Sequence, residues 1–240
     1  MTCFIESFVV IVNLFIFPFA GGSSYSFEFF KKNGLTGIHA LDYPGRGKKL
    51  MHPSMDNVFN VVDSLYDEIK NRLNGPYCFY GHSMGTLISY LLIQKLKSNN
   101  QMLPHHLFVS GRGAPSVPIG ESRHDLPHKE FWQRIKELGG CPDEVLENAD
   151  LMDFFEPILR TDLKAIETYQ YEDAEPLKIP ITILLGKDDK VTSEEAILWQ
   201  KETIHPIDIQ YFDGGHFFIL DHAKEISDLM KAKMSSYENV

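Results

Sequence analysis

The fold of this chain is decided by residues 81–85, Gly81-His82-Ser83-Met84-Gly85. A short apolar run, Tyr77-Cys78-Phe79-Tyr80, precedes them and is typical of a buried strand. Leucine and isoleucine recur at helical spacing after them, from Thr86 to about Lys97. Gly-x-Ser-x-Gly between a strand and a helix predicts a sharp, strained turn. The small residues relieve the crowding of strand against helix, so the Ser83 hydroxyl should project from the sheet edge.

Two polar residues follow apolar runs in the last third of the chain. Residues 179–185 predict a core parallel strand, and Asp189 comes just after it. Residues 207–212 predict another strand, which is followed by His216. Because the carboxyl ends of parallel strands meet at one edge of a sheet, we expect Ser83, Asp189 and His216 to lie together. This order is that of an α/β-hydrolase triad, in which the histidine moves the serine proton and the aspartate orients the imidazole.

Other titratable residues compete for these roles. Asp188 is the alternative to Asp189, but the spacing Gly-x-x-Asp after the strand favours Asp189 and leaves Asp188 as a solvated carboxylate. His82 lies inside the turn with its side chain directed away from a substrate, so we interpret it as a packing residue. His105 and His106 open a strand, but no third ligand stands at a suitable spacing, so no metal site is predicted.

An earlier loop should supply the second oxyanion donor. Residues 14–17 predict a strand, and Pro-Phe-Ala-Gly-Gly-Ser-Ser follows it. Glycine there permits close approach of the backbone to a ligand, so we expect the Ala20 and Met84 N–H groups to bind an oxyanion. The alternative is a flexible turn before a helix capped by Ser23 or Ser24.

The remaining sequence alternates strand and helix patterns except between about residues 120 and 173. There the strand pattern stops and two apolar stripes at helical spacing predict a helical lid. We therefore predict one domain, residues 1–240, with an α/β-hydrolase fold: a mostly parallel central sheet, helices on both faces and a lid insertion. The supporting segments are strands at 38–43 and 107–109, a helix capped by Ser54, lid stripes at Phe131, Trp132, Ile135, Leu138 and at Leu151, Phe154, Phe155, Ile158, Leu159, and a final helix through Ala223, Ile226, Leu229, Met230 and Met234.

Composition limits the class of protein. The chain has 240 residues, 43% of them hydrophobic, which suits one domain with a sizeable core. A net charge of −10 argues against nucleic acid as a partner. The 3 cysteines imply no disulfide framework. The apolar segment 8–20 lacks a basic flank and is too short to span a bilayer, so we expect a cytoplasmic enzyme with no membrane partner and no cofactor.

Six motifs are distributed along nearly the whole chain: Phe17-Pro18-Phe19-Ala20-Gly21-Gly22-Ser23, Tyr43-Pro44-Gly45-Arg46-Gly47, the turn at 81–85, Leu138-Gly139-Gly140-Cys141-Pro142, Leu159-Arg160-Thr161-Asp162 and Glu167-Thr168-Tyr169. Together they resemble the motifs of the type II thioesterases that accompany non-ribosomal peptide and polyketide synthases. Two positions depart from the resemblance: Gly47, where many relatives carry an acidic residue, and Lys190, where relatives usually carry proline.

The resemblance implies a stand-alone thioesterase. Its substrates would be acyl groups on the phosphopantetheine arms of synthase carrier proteins, and its role would be the removal of stalled or wrong acyl groups. Two alternatives stay open at this point. One is a carboxylesterase or lipase with the same triad, and the other is a hydrolase-fold binding protein that has lost activity.

A carrier protein would need a docking surface at the mouth of the site. Carriers are acidic and so is this chain, so we expect local cations and apolar lid residues there rather than an attractive overall field. Arg46, Lys48 and Lys49 follow one strand, and Arg112 follows another, which places all of them on the active-site side of the sheet.

Overall fold

A computed structural model describes residues 11–237. Its centre is a six-stranded sheet in the order β2-β1-β3-β4-β5-β6, and every neighbouring pair is parallel. All the carboxyl ends of the strands therefore lie along one edge, as the sequence predicted. The strands are β1 (Asn13–Phe17), β2 (Ile38–Ala40), β3 (Tyr77–His82), β4 (His106–Ser110), β5 (Ile181–Gly186) and β6 (Asp208–Phe212).

Both faces of the sheet are covered, because successive strand residues point to opposite sides. Phe15 and Phe79 belong to one buried cluster, which includes the apolar face of the helix before β3. Leu14 and Tyr80 belong to the other, which the final helix completes. Because the central strands are buried on both faces, their sequences are continuous hydrophobic runs rather than alternating patterns.

Nine α-helices surround the sheet within the described residues. Three of them, α4–α6, lie between β4 and β5, where the sequence predicted a lid. The bounds are α1 (Glu28–Lys32), α2 (Val58–Ile69), α3 (Met84–Ser98), α4 (His128–Leu138), α5 (Asp143–Leu146), α6 (Ala149–Glu167), α7 (Ser193–Ile197), α8 (Phe218–Asp221) and α9 (Ala223–Met234).

One local prediction was wrong. The cap of α2 is Asn57, not Ser54: the Asn57 side chain accepts the Phe59 N–H at 2.9 Å. The apolar stripe predicted at residues 151–159 is only partly buried, since Ile158 is buried whereas Phe154 is 50% exposed. The apolar segment predicted from residue 8 lies partly outside the described residues.

Within residues 11–237, no helix combines the length and the hydrophobicity that crossing a bilayer requires.

Candidate active site

The turn after β3 holds Ser83 in a strained conformation. Its φ of 54° and ψ of −114° are unusual for a residue with a side chain. A Cβ at Gly81 would lie 2.3 Å from the Gly85 carbonyl oxygen, and one at Gly85 would lie 1.9 Å from the Phe17 carbonyl oxygen. Only glycine fits at these two positions, so they allow β3, α3 and β1 to converge beneath the serine.

Ser83, His216 and Asp189 form one hydrogen-bonded chain. The His216 Nε2 lies 3.0 Å from the Ser83 Oγ, and the His216 Nδ1 lies 2.9 Å from the Asp189 Oδ2. The Asp189 side chain is only 4% exposed, whereas Asp188 is an exposed residue. Of the two adjacent carboxylates, the structure brings Asp189 to the imidazole.

The second oxygen of Asp189 is also bound. The Lys190 N–H donates to the Asp189 Oδ1 at 2.7 Å. Proline, which the resemblance places at this position in relatives, has no N–H to donate. The departure at Lys190 therefore adds a hydrogen bond that holds the carboxylate.

The imidazole ring of His82 packs against that of His216. Its Nδ1 lies 2.9 Å from the Ser110 Oγ, and the two imidazole rings are 5.2 Å apart. Burial, together with the nearby His216, lowers the pKa of His82 well below its usual value. His82 is thus neutral, as befits a packing residue. His106, the other buried histidine, is bound to Thr182 across the sheet at 2.9 Å.

Ala20 and Met84, the two predicted oxyanion donors, both lie close to Ser83. Met84 is the first residue of α3, so its N–H has no acceptor within the helix. Phe17 at the end of β1 is in register with Gly81 of β3, which places the loop containing Ala20 beside the serine. Ala20 and Ser83 line the same cavity, of about 380 Å³, together with Asp189 and His216.

Comparison with known proteins identifies the family. The family model of the thioesterase domain matches residues 12–234. The chain belongs to the thioesterase family. The thioesterase is 34% identical over 225 residues to the gramicidin S biosynthesis protein GrsT of Aneurinibacillus migulanus, with 91% of this chain and 87% of that protein covered.

Solved thioesterase structures share the fold. ClbQ, from the colibactin non-ribosomal peptide/polyketide synthase pathway, superimposes with a TM-score of 0.88 at 27% identity, covering 95% of this chain and 99% of that one. RedJ, from the prodiginine pathway of Streptomyces coelicolor, superimposes with a TM-score of 0.85 at 28% identity, covering 97% of this chain and 92% of that one. The predicted α/β-hydrolase fold and the resemblance to type II thioesterases are confirmed. The enzyme is a hydrolase that acts on acyl thioesters.

A buried ion pair supports the loop that carries Ala20 in this thioesterase. The Arg46 guanidinium binds both carboxylate oxygens of Asp162, a residue of α6 that is 0% exposed. Asp162 also accepts the Gly21 N–H at 2.8 Å. The Tyr43 hydroxyl donates to the Pro18 carbonyl at 2.8 Å, in the same loop. Three motifs that are far apart in sequence thus meet at the loop.

Asp162 belongs to one of the motifs that carry the resemblance, but no function was predicted for it from the sequence. A signal for one was present: Asp162 follows Ile158 by one helical turn, on the buried face of α6. An aspartate on such a face requires a partner, because burying an unpaired charge is costly.

The four cations predicted as docking residues are in different environments. The prediction for Arg46 was wrong, because it is 5% exposed and paired with Asp162. Arg112 lines the catalytic cavity and is partly exposed, although its Nε is buried, so its docking role stays a prediction. Lys49 is partly buried and bound to Glu68. Lys48 is exposed, and both lysines line a separate cavity of about 250 Å³ near β2.

Proposed function

We propose that this thioesterase hydrolyses acyl groups from the phosphopantetheine arms of carrier proteins, through an acyl-enzyme on Ser83. The observation that carries the proposal is the bridging position of His216 between Ser83 and Asp189. The Ser83 Oγ attacks the thioester carbonyl carbon while the His216 Nε2 takes its proton. Asp189 accepts the Nδ1–H, so it holds the required tautomer and stabilises the imidazolium.

Negative charge develops on the carbonyl oxygen during the attack. The N–H groups of Ala20 and Met84 bind that oxyanion, and one such donor is worth about 10²–10³ in rate. Collapse of the tetrahedral intermediate breaks the carbon–sulfur bond. The thiol of the arm leaves with the proton that His216 held, and the acyl group stays on Ser83.

Water completes the cycle. His216 takes a proton from a water molecule, whose oxygen attacks the acyl-serine carbonyl. The second intermediate collapses to the free acid, and His216 returns the proton to the Ser83 Oγ. Both halves use the same donors, so no further residue is required for the chemistry.

The relatives support carrier-bound acyl groups as the substrate class. GrsT belongs to gramicidin S biosynthesis, and YbtT is described as a type II thioesterase of the yersiniabactin pathway. The yersiniabactin pathway is described as one of non-ribosomal peptide and polyketide synthases, and the intermediates of such synthases are thioesters of carrier proteins. The proposed role here is editing, that is, removal of acyl groups that block a carrier.

We place carrier docking at Lys48, beside the loop that Arg46 anchors. Lys48 is exposed and its backbone N–H is held by Asp42 at 3.1 Å, so the side chain projects from a fixed backbone. Its neighbour Lys49 is already bound to Glu68 and contributes less. A single exposed cation of this kind alters mainly the rate of encounter.

The test compares substrates of equal acyl chain: an acyl-carrier protein, the acyl-pantetheine thioester and the p-nitrophenyl ester. The proposal predicts that kcat/KM is highest for the carrier and lowest for the oxygen ester. Preference for the p-nitrophenyl ester would make the protein a carboxylesterase instead. If the folded protein does not react with a fluorophosphonate serine probe, the result would indicate a binding protein without activity.

A further inference from the structure

Arg112 is the arginine without a counter-ion. Its Nε is buried and has no hydrogen-bond partner, and no carboxylate within residues 11–237 forms a salt bridge with its guanidinium. The other arginines of the chain each form a salt bridge with an acidic side chain: Arg46, Arg72, Arg123, Arg134 and Arg160. The exception lies in the catalytic cavity.

The backbone of Arg112 is fixed next to the triad. Arg112 comes two residues after Ser110, which is in register with His82 of β3. A Cβ on the intervening Gly111 would lie 3.3 Å from the His216 Cε1, so the strand end is packed against the imidazole. The buried Trp199 donates its Nε1–H to the Arg112 carbonyl at 3.2 Å. The guanidinium therefore extends from a rigid base beside the reacting atoms.

The three acidic residues that line the cavity, Glu121, Asp189 and Glu195, form no salt bridge with Arg112. Asp189 is bound to His216, and Glu195 accepts the Thr192 N–H at 3.0 Å. Glu121 lies near Arg134 and raises the pKa of that guanidinium after the larger effects of Glu137. Burial lowers the pKa of Arg112 to about 10, with Tyr169 opposing and Arg123 adding to the effect, so Arg112 is still charged at neutral pH.

An unpaired, partly desolvated guanidinium is costly to a folded protein unless a ligand completes it. Its planar fork of N–H donors matches a carboxylate, which it binds through two parallel hydrogen bonds. We propose that Arg112 binds a carboxylate on the acyl chain, so that the enzyme favours thioesters of dicarboxylic acids. This inference rests on the proposed function and names a substrate class for the same site.

Two sources could supply an anion to a thioesterase pocket. One is a carboxylate on the acyl chain, and the other is the phosphate of the pantetheine arm. The phosphate lies at the carrier end of the arm, a full pantetheine length from the reacting carbon. Arg112 instead follows Gly111, whose added Cβ would lie 3.3 Å from the His216 Cε1, and it lines the same cavity as Ser83, which favours the acyl chain.

The experiment measures kcat/KM for malonyl, glutaryl and adipoyl thioesters of N-acetylcysteamine, each against the ω-carboxamide of equal length. The wild-type enzyme should prefer the carboxylate at one of these lengths by about 10- to 100-fold, the worth of a hydrogen-bonded charge pair. Arg112→Gln should bring that ratio close to one. Arg112→Lys should restore part of it, because charge remains but the fork does not. Arg134→Gln, which removes a paired and exposed cation of the same cavity, should preserve the ratio.

The outcomes separate the inference from the proposed function. Equal kcat/KM for the carboxylate and the carboxamide in wild-type enzyme would overturn the inference without any variant. A ratio that Arg112→Gln leaves unchanged would overturn it as well. A KM increase in Arg112→Gln that is confined to 4′-phosphopantetheine thioesters, against pantetheine thioesters, would assign the site to the phosphate instead. Absence of hydrolysis of every thioester in the panel would count against the proposed function itself.

Discussion

Replacing Asp162 with asparagine should slow catalysis far more than it weakens substrate binding. The Asp162 carboxylate is fully buried, binds Arg46 through both oxygens and accepts the Gly21 N–H at 2.8 Å. Asparagine has the same size but no charge. Breaking a buried ion pair costs about 3–5 kcal/mol, a large share of the roughly 5–15 kcal/mol by which a domain is stable. The loop that carries Ala20 would lose its charged anchor.

The kinetic effect follows from the position of that loop. Complete loss of one oxyanion donor lowers kcat by about 10²–10³-fold, and a donor that is loosened rather than removed should cost about 10- to 100-fold. KM for a small acyl thioester should change little, because the contact strengthens only in the transition state. The assay is steady-state hydrolysis of an acyl-N-acetylcysteamine thioester, at a temperature where circular dichroism shows the variant to be folded.

A double variant separates positioning from stability. Arg46→Met combined with Asp162→Leu removes both charges, and replacing a buried pair by apolar side chains is often neutral or stabilising. The free energy of unfolding in urea should therefore recover. The Gly21 N–H still lacks its acceptor, so kcat should stay low. Recovery of kcat together with stability would refute the positioning argument and leave Asp162 with a purely structural role.

Three further predictions concern single side chains. Asp189→Asn should lower kcat by about 10³–10⁴-fold, because the imidazole loses its orienting anion, whereas Asp188→Asn should change it little; the reverse ranking, in steady-state assays of folded proteins, would move the triad role. Lys48→Glu should raise KM for an acyl-carrier protein but not for a free thioester, with the difference shrinking in added salt; equal losses on both substrates would indicate local damage. Burial lowers the pKa of His106 from 6.5 to about 4, so the unfolded chain binds more protons between these values and stability is lost as pH falls through them, by about 3 kcal/mol. Urea unfolding at pH 7.5 and pH 5 measures the loss of unfolding free energy between the two pH values. That loss should be smaller in His106→Gln than in the wild type and unchanged in His105→Gln; equal losses in all three proteins would contradict the assignment.

The sequence was sufficient for the arrangement around Ser83 because each part of it is local. A strand, a turn and a helix can be recognised from neighbouring residues, and parallel strands bring their ends to a common edge. Asp189 and His216 follow from the same rule. The strained turn, in which Ser83 has a φ of 54°, can be recognised in the sequence because it requires glycine at positions 81 and 85.

The environments of the arginine side chains could not be predicted from the sequence in the same way. Position after a strand placed Arg46 and Arg112 on the correct side of the sheet but did not fix where their long side chains turn. Arg46 pairs with Asp162, which is 116 residues away, so only the folded chain reveals the partner. Arg112 lines the catalytic cavity together with Leu138 of α4 and Leu163 of α6, which are also far away in sequence. The helix cap at Asn57 was missed for a simpler reason, since several residues near the helix start are capable of capping.

The most direct test of the central claim is detection of the acyl-enzyme. The protein is mixed with an acyl-carrier thioester, quenched in acid within the first turnover, digested and examined by mass spectrometry. In the wild-type enzyme, one acyl group should be found on the peptide that contains Ser83. In a His216→Ala variant that is first acylated by an activated ester, the acyl group should accumulate on the same peptide. In Ser83→Ala it should be absent. Hydrolysis that continues in Ser83→Ala, or wild-type turnover in which the acyl group is found on a different residue, would contradict the account.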